Sequence, residues 1–281
     1  GIGNPTTQIE AAPMALSLFH TVFNITNLLI LIWFTKWIAC IVSKIIPMKE
    51  KGEDAFTLKH IKIGLLSTPD ASLFQAKEEI VLYGKNTRDM FHRVTECLDL
   101  SPKDFDQPFE KLTKMEDESD NVEIEIANYL TKVSESKLST ENSKRIRSMF
   151  KIVSEIESIA DSSLNVAKTI YRRNEQHVTF PEELTRKLKH MFALVEETLD
   201  VMCNNLAMEY KTVNAKKAYE MEKAINDYRT VLKQEHLIAI EEKKYDYPTG
   251  ILYNDMFSEC EKIGDFAINV TQAVKEIGYD E

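Results

Sequence analysis

Residues 259–265 read ECEKIGD, and 104 positions earlier residues 155–161 read EIESIAD. The alignment carries Glu155 onto Glu259, Glu157 onto Glu261, Asp161 onto Asp265 and Asn165 onto Asn269, so the offset holds beyond the seven residues themselves. A second pair of stretches, MEDESDNVEIEIANYL from 115 and MEKAINDYRTVLKQEHL from 221, aligns at an offset of 106 and sets Glu116 on Glu222 and Asp120 on Asn226. Two consecutive segments repeating at nearly one offset mean that a unit of three helices occurs twice.

Around these stretches the apolar residues fall at helical spacing, as with Ile152, Ile156, Ile159 and Val166, and breaks such as SPKDFDQP and VTFPEE separate six segments. The expected helices run from about 68 to 100, 109 to 134, 139 to 174, 181 to 210, 215 to 244 and 248 to 277. Long helices with short connections pack as antiparallel neighbours. Composition agrees: 281 residues with 43% apolar and 28% charged side chains fold, and only eight glycines and eight prolines argue against a turn-rich β protein. The four cysteines lie far apart without a C-x-x-C pair, which fits a reducing compartment. A net charge of −10, with 41 acids against 30 bases after His60, repels phosphate backbones, so no nucleic acid is expected as a partner.

The first part of the chain has different chemistry. Residues 14–46, MALSLFHTVFNITNLLILIWFTKWIACIVSKII, hold no acid and two lysines, and at 1.5 Å per residue they exceed the roughly 30 Å of a bilayer core. They read as a transmembrane helix with Trp33, Lys36 and Trp37 at the headgroups, Pro47 as its stop, and the lysine-rich end in the cytoplasm. A signal peptide and a buried soluble helix are the competing readings; the run is too long for the former, and neither an initiating Met nor a basic leader precedes it. His20, Asn24 and Asn27 share one face, where they either bond to neighbouring helices or line a transport path. The opening GIGNPTTQIEAAP reads as an internal loop, so a fragment of a longer polytopic protein is expected. The domains are then 1–47, a loop and last transmembrane helix; 48–67, a linker; and 68–281, an all-α bundle with repeats at about 68–175 and 176–279.

The carboxylates invite a chemical reading. Glu157, Asp161 and Asn165 form an i, i+4, i+8 strip, repeated by Glu261, Asp265 and Asn269. Like charges at i, i+4 cost a few tenths of a kcal/mol, so a surface chosen only for solubility would more often oppose Glu with Lys. The strip is either a solvated acidic face or an oxygen-only ligand set that gathers a hard or borderline cation. No Glu-x-x-His pair of a di-iron oxidase occurs, Asp89 and His92 being the nearest, nor a phosphate loop, nucleophile elbow or zinc signature. The chain is not expected to be an enzyme.

ECEKIGD and EIESIAD within repeated three-helix units resemble the signature of PhoU-family phosphate-regulatory proteins over about 65–277. The segment MALSLFHTVFN (14–24) and the junction LLSTPDASLFQAKEEI (65–80) resemble the last membrane helix and cytoplasmic junction of bacterial sodium/phosphate cotransporters, whose C-terminal region is PhoU-like. The resemblance implies the C-terminal part of a sodium-dependent phosphate symporter with a regulatory bundle, or else a membrane-tethered PhoU-like signalling adaptor that does not transport. It implies iron or zinc on E-x-x-x-D motifs, here Glu116 with Asp120, Glu157 with Asp161, Glu222 with Asn226, and Glu261 with Asp265, the Asn226 position departing from a carboxylate. It further implies Na⁺ and inorganic phosphate for the intact transporter, a missing N-terminal membrane domain as partner, room for a homodimer, and a plasma-membrane location with the bundle in the cytoplasm.

Overall fold

The structure, a computed structural model, describes residues 12–45, 58, 59, 61 and 68–278. Two compact units divide the chain, Gly1–Ala55 and Phe56–Glu281. In the first, α1 spans Ala12–Ile45, with side chains described at 13, 16–30 and 34. Leu16, Phe19, Phe23 and Ile30 lie along one strip and Leu18, Val22, Ile25 and Leu29 along the next, all at least half exposed, so apolar surface covers most of the helix and leaves one polar strip of Ser17, His20, Asn24 and Asn27. His20 and Asn24 are exposed and Asn27 half-buried. Among the described residues no helix is long and apolar enough to cross a membrane. The side chains of Trp33, Lys36 and Trp37, the stop at Pro47 and most of the linker 48–67 fall outside the described residues.

The second unit is a bundle of α2 (Pro69–Cys97), α3 (Pro102–Ser134), α4 (Thr140–Glu175), α5 (Glu182–Ala207), α6 (Lys216–Glu241) and α7 (Tyr247–Gly278), with a 3₁₀ turn at Tyr210–Thr212. Among the described residues there is no strand. Helices α2, α3 and α4 pack on one another, as do α5, α6 and α7, and the two triplets meet through α4 on α7 and α2 on α5. The most extensive packing of all, α4 against α7, runs between the triplets. The core runs through both triplets, with Phe91, Phe105, Ile126, Ile156, Phe257 and Ile263 fully enclosed. Cys97, Cys203 and Cys260 are buried free thiols, and burial pushes the first two up to about 11.

Helix starts follow the local chemistry. Thr68 and Ser139 hold extended backbone and accept from the N–H groups of Ala71 and Asn142, the latter at 3.1 Å. Ser139→Ala should therefore cost about 1 kcal/mol in a denaturant titration; an unchanged midpoint would mean that the α4 terminus is satisfied without this hydroxyl. One boundary departs from the sequence expectation, since α3 begins at Pro102, two turns before Phe109, and takes Pro108 inside. Pro102 sits where a missing N–H is harmless. The extra turns are held because Phe105, fully buried, stacks on Phe109, which stacks on Tyr171 of α4 at 4.9 Å. Similarly α5 stops at Ala207, and Tyr210 turns to cover Lys77, whose ammonium donates to the Met208 carbonyl at 2.6 Å.

Candidate functional site

In the first repeat Glu116 and Asp120 on α3 lie within electrostatic reach of Asp161 on α4, and Glu157 on α4 within reach of Asp120. Glu123, one turn beyond Asp120, joins them. Burial raises the proton affinity of Glu116, which Asp120, Asp117 and Asp161 raise further while Lys168 opposes them. Asp120 is raised by partial desolvation, then by Asp117 and Asp161; Glu123 by burial and Asp120 against a hydrogen bond from Ser154. Glu157 is raised by burial, Glu123, Asp120 and Asp161, with Ser158 donating to it at 3.3 Å. The Asn165 amide donates to Asp161 at 3.3 Å. Among the described residues none of the five carboxylates is paired with a lysine or arginine.

These raised values have a consequence for stability. Each of the four groups holds its proton more tightly folded than unfolded, so its contribution is complete below the ordinary values of 3.8 and 4.5 and is lost as pH rises through the raised ones. As pH rises above the ordinary carboxylate range the metal-free chain should lose melting temperature, and Glu157→Gln should flatten that slope. His92, raised by Glu196, adds to the slope and His236, lowered by burial, opposes it, but both are common to the two chains. Equal slopes in circular-dichroism melts would contradict the assignment.

The second repeat is built differently. Glu222 and Asn226 on α6 face Glu261 and Asp265 on α7, but Asn226 donates its amide to Glu222 at 2.6 Å and the Arg229 guanidinium pairs with Glu261. Asp265 is raised by burial, then by Glu261 and Glu222, against Arg229. The buried Oδ1 of Asn226 and Nε of Arg229 have no hydrogen-bond partner among the described residues. The first residues of the two stretches behave differently again. Glu155 accepts from Asn269 of α7 at 3.0 Å across the seam between repeats, whereas Glu259 pairs with Lys262 at 2.8 Å.

The motif residues therefore gather as two clusters, one per repeat. Among the described residues no group of three or more His, Cys, Asp or Glu side chains is arranged to hold a metal ion. The donor chemistry of the first repeat, oxygen-only carboxylates without a paired lysine or arginine among the described residues, is the kind that a hard or borderline divalent ion takes. The second repeat does not fit, since a guanidinium already stands against its carboxylates. Sequence reasoning missed Glu123 and Arg229. The signal was there, for the 106-residue offset that pairs Asp120 with Asn226 sets Glu123 on Arg229 three residues later. Elsewhere, a cavity of about 340 Å³ beside α5 and α6 is lined by Lys187, His236 and Tyr245. There Lys187 is held between Glu183 and Glu235, and His236 bonds the Tyr245 hydroxyl at 2.8 Å.

Residues 80–170, from the middle of α2 through most of α4, match the PhoU domain family. The crystal structure of PhoU from Pseudomonas aeruginosa superposes with a TM-score of 0.67 over 75% of this chain and 98% of that chain, at 16% identity. The fold is PhoU-like. The phosphate transport system regulatory protein PhoU from Streptococcus pneumoniae gives a TM-score of 0.63 over 75% of this chain and 96% of that one, again at 16% identity. In sequence, a phosphate-specific transport system accessory protein PhoU homolog from Clostridium acetobutylicum is 25% identical over 189 residues, 64% of this chain and 82% of that protein.

Proposed function

We propose that this chain is a PhoU-like regulator of phosphate transport held at the membrane by α1. The observation that carries the regulatory part is the near-complete coverage of a PhoU bundle by this one, together with the Clostridium acetobutylicum homolog named for the phosphate-specific transport system. Support for the membrane part comes from α1, whose exposed apolar surface covers most of the helix and has no use in water. Within the bundle, Glu116, Asp120, Glu123, Glu157 and Asp161 hold a divalent cation that ties α3 to α4. Iron suits this all-oxygen set better than zinc, which favours nitrogen and sulfur. No catalytic role is part of this reading.

The test is to express the full chain in bacteria, wash membranes at alkaline pH, and measure phosphate uptake with and without the chain. The chain is expected in the washed membranes, to leave them in a Phe23→Arg, Leu29→Arg variant, and to alter uptake in a phosphate-dependent way. Uptake indifferent to the chain would overturn the regulatory reading, and recovery of the unmutated chain in the wash would overturn the anchor.

A second reading follows from His20, Asn24 and Asn27, polar groups on an otherwise apolar helix that need partners in lipid. They favour α1 as the last membrane helix of a sodium-coupled phosphate symporter, with the bundle as its cytoplasmic regulator. Upstream coding sequence with inverted membrane repeats would establish it, and its absence would leave the tethered regulator.

A further inference from the structure

We infer that Arg229 is the built-in counter-cation of the second repeat, so that this repeat takes no metal and cation binding is confined to the first. The inference rests on the metal role proposed for Glu116, Asp120, Glu123, Glu157 and Asp161. Laid on one another, the two clusters differ at two places: Asp120 becomes Asn226 and Glu123 becomes Arg229. Five acids in the first repeat thereby answer to three acids and one guanidinium in the second. Both changes work in the same direction, and both are used. The Asn226 amide serves Glu222, and the Arg229 guanidinium serves Glu261, so each glutamate of the second repeat already has a donor.

A divalent ion entering that cluster would have to displace the guanidinium or sit beside it, and two cations at contact distance in a half-buried site repel strongly. Displacement has its own cost, since Arg229 is only 30% exposed and would give up its ion pair with Glu261. In the first repeat neither obstacle exists. The nearest cations there, Lys168 to Glu116 and Lys262 to Asp161, act at a distance and not as pairs. The duplication has therefore divided its labour: one repeat joins its second and third helices by an ion pair carried in the chain, the other by an ion taken from solution.

The experiment compares the full chain in detergent with four variants after incubation with Fe(II) or Mn(II) and desalting, reading metal per chain by elemental analysis and the metal-induced shift of the melting temperature. Asp120→Asn with Asp161→Asn should abolish metal, and Asp265→Asn should leave it unchanged. Arg229→Glu, which restores the residue type of the first repeat, should roughly double the metal content and make folding strongly metal-dependent. Arg229→Gln, which folds without an added like charge, should also gain metal. Loss of metal on Asp265→Asn, or no gain in either Arg229 variant, would overturn the inference. An unmutated chain without any metal would overturn the role proposed for the first repeat, while the gain at Arg229→Glu or Arg229→Gln would still decide this one.

Discussion

Phe192→Ala is expected to lower the unfolding free energy of the bundle by about 3–5 kcal/mol. Phe192 is 2% exposed on α5 and meets the fully buried Phe91 of α2 edge to face, with ring centroids 5.8 Å apart. This pair lies on one of the two seams between the three-helix repeats, α2 on α5. Truncation removes the ring from a closed core and leaves a cavity that helices fixed along their length cannot collapse to fill. It also forfeits the aromatic pairing, worth about 0.5–1.5 kcal/mol beyond area. Urea titration of the full chain in non-ionic detergent should show a lower midpoint and an unchanged slope, as for one cooperative unit. A slope that falls as well would show the repeats unfolding separately, and a loss under about 1 kcal/mol would remove this seam from the core.

Gly264→Leu should cost about 3 kcal/mol, whereas Gly264→Ala should stay within about 1 kcal/mol of the unmutated chain. A Cβ at Gly264 would stand 3.0 Å from Cδ1 and 3.3 Å from Cγ2 of Ile225, a fully buried residue on α6. Alanine is a modest squeeze, offset by the roughly 1 kcal/mol that a glycine costs inside a helix. The equivalent position in the first repeat is in fact alanine, Ala160. Leucine is another matter, because its branches have nowhere to go but through Ile225, which adjoins Asn226 as Gly264 adjoins Asp265. Pushing α6 from α7 would also pull Arg229 from Glu261, so the variant should lose stability and, on the proposed division of labour, leave metal binding in the first repeat intact. Equal midpoints for the two variants would show that α6 can yield without cost.

Legibility followed periodicity. The seven-residue stretches at 155 and 259 disclosed the repeat because a duplicated helix keeps the same face buried in each copy, and the starts near 68 and 139 were readable because their caps satisfy donors only three residues away. The start of α3 was not, since the signal of Pro108 is local while the stack of Phe105 and Phe109 on Tyr171, more than 60 positions along the chain, outweighs it. The candidate site was half legible. The motif positions and their offsets are read from the sequence, but equivalence of the four motifs concealed the substitution of Arg229 for Glu123.

By itself the sequence determined an all-helical chain of two unlike parts, a three-helix unit used twice, and a set of acidic strips at fixed offsets. Each of these depends on spacing along one helix, where neighbours in space are three or four residues apart. Only the tertiary structure decided which strips meet: that Glu116, Asp120, Glu123, Glu157 and Asp161 raise one another's proton affinity without a paired cation among the described residues, while Arg229 closes on Glu261 and Asn269 reaches across to Glu155. Electrostatic energy falls with distance in space and takes no account of separation in sequence, so a residue's charge gains its meaning only when the helix opposite is in place.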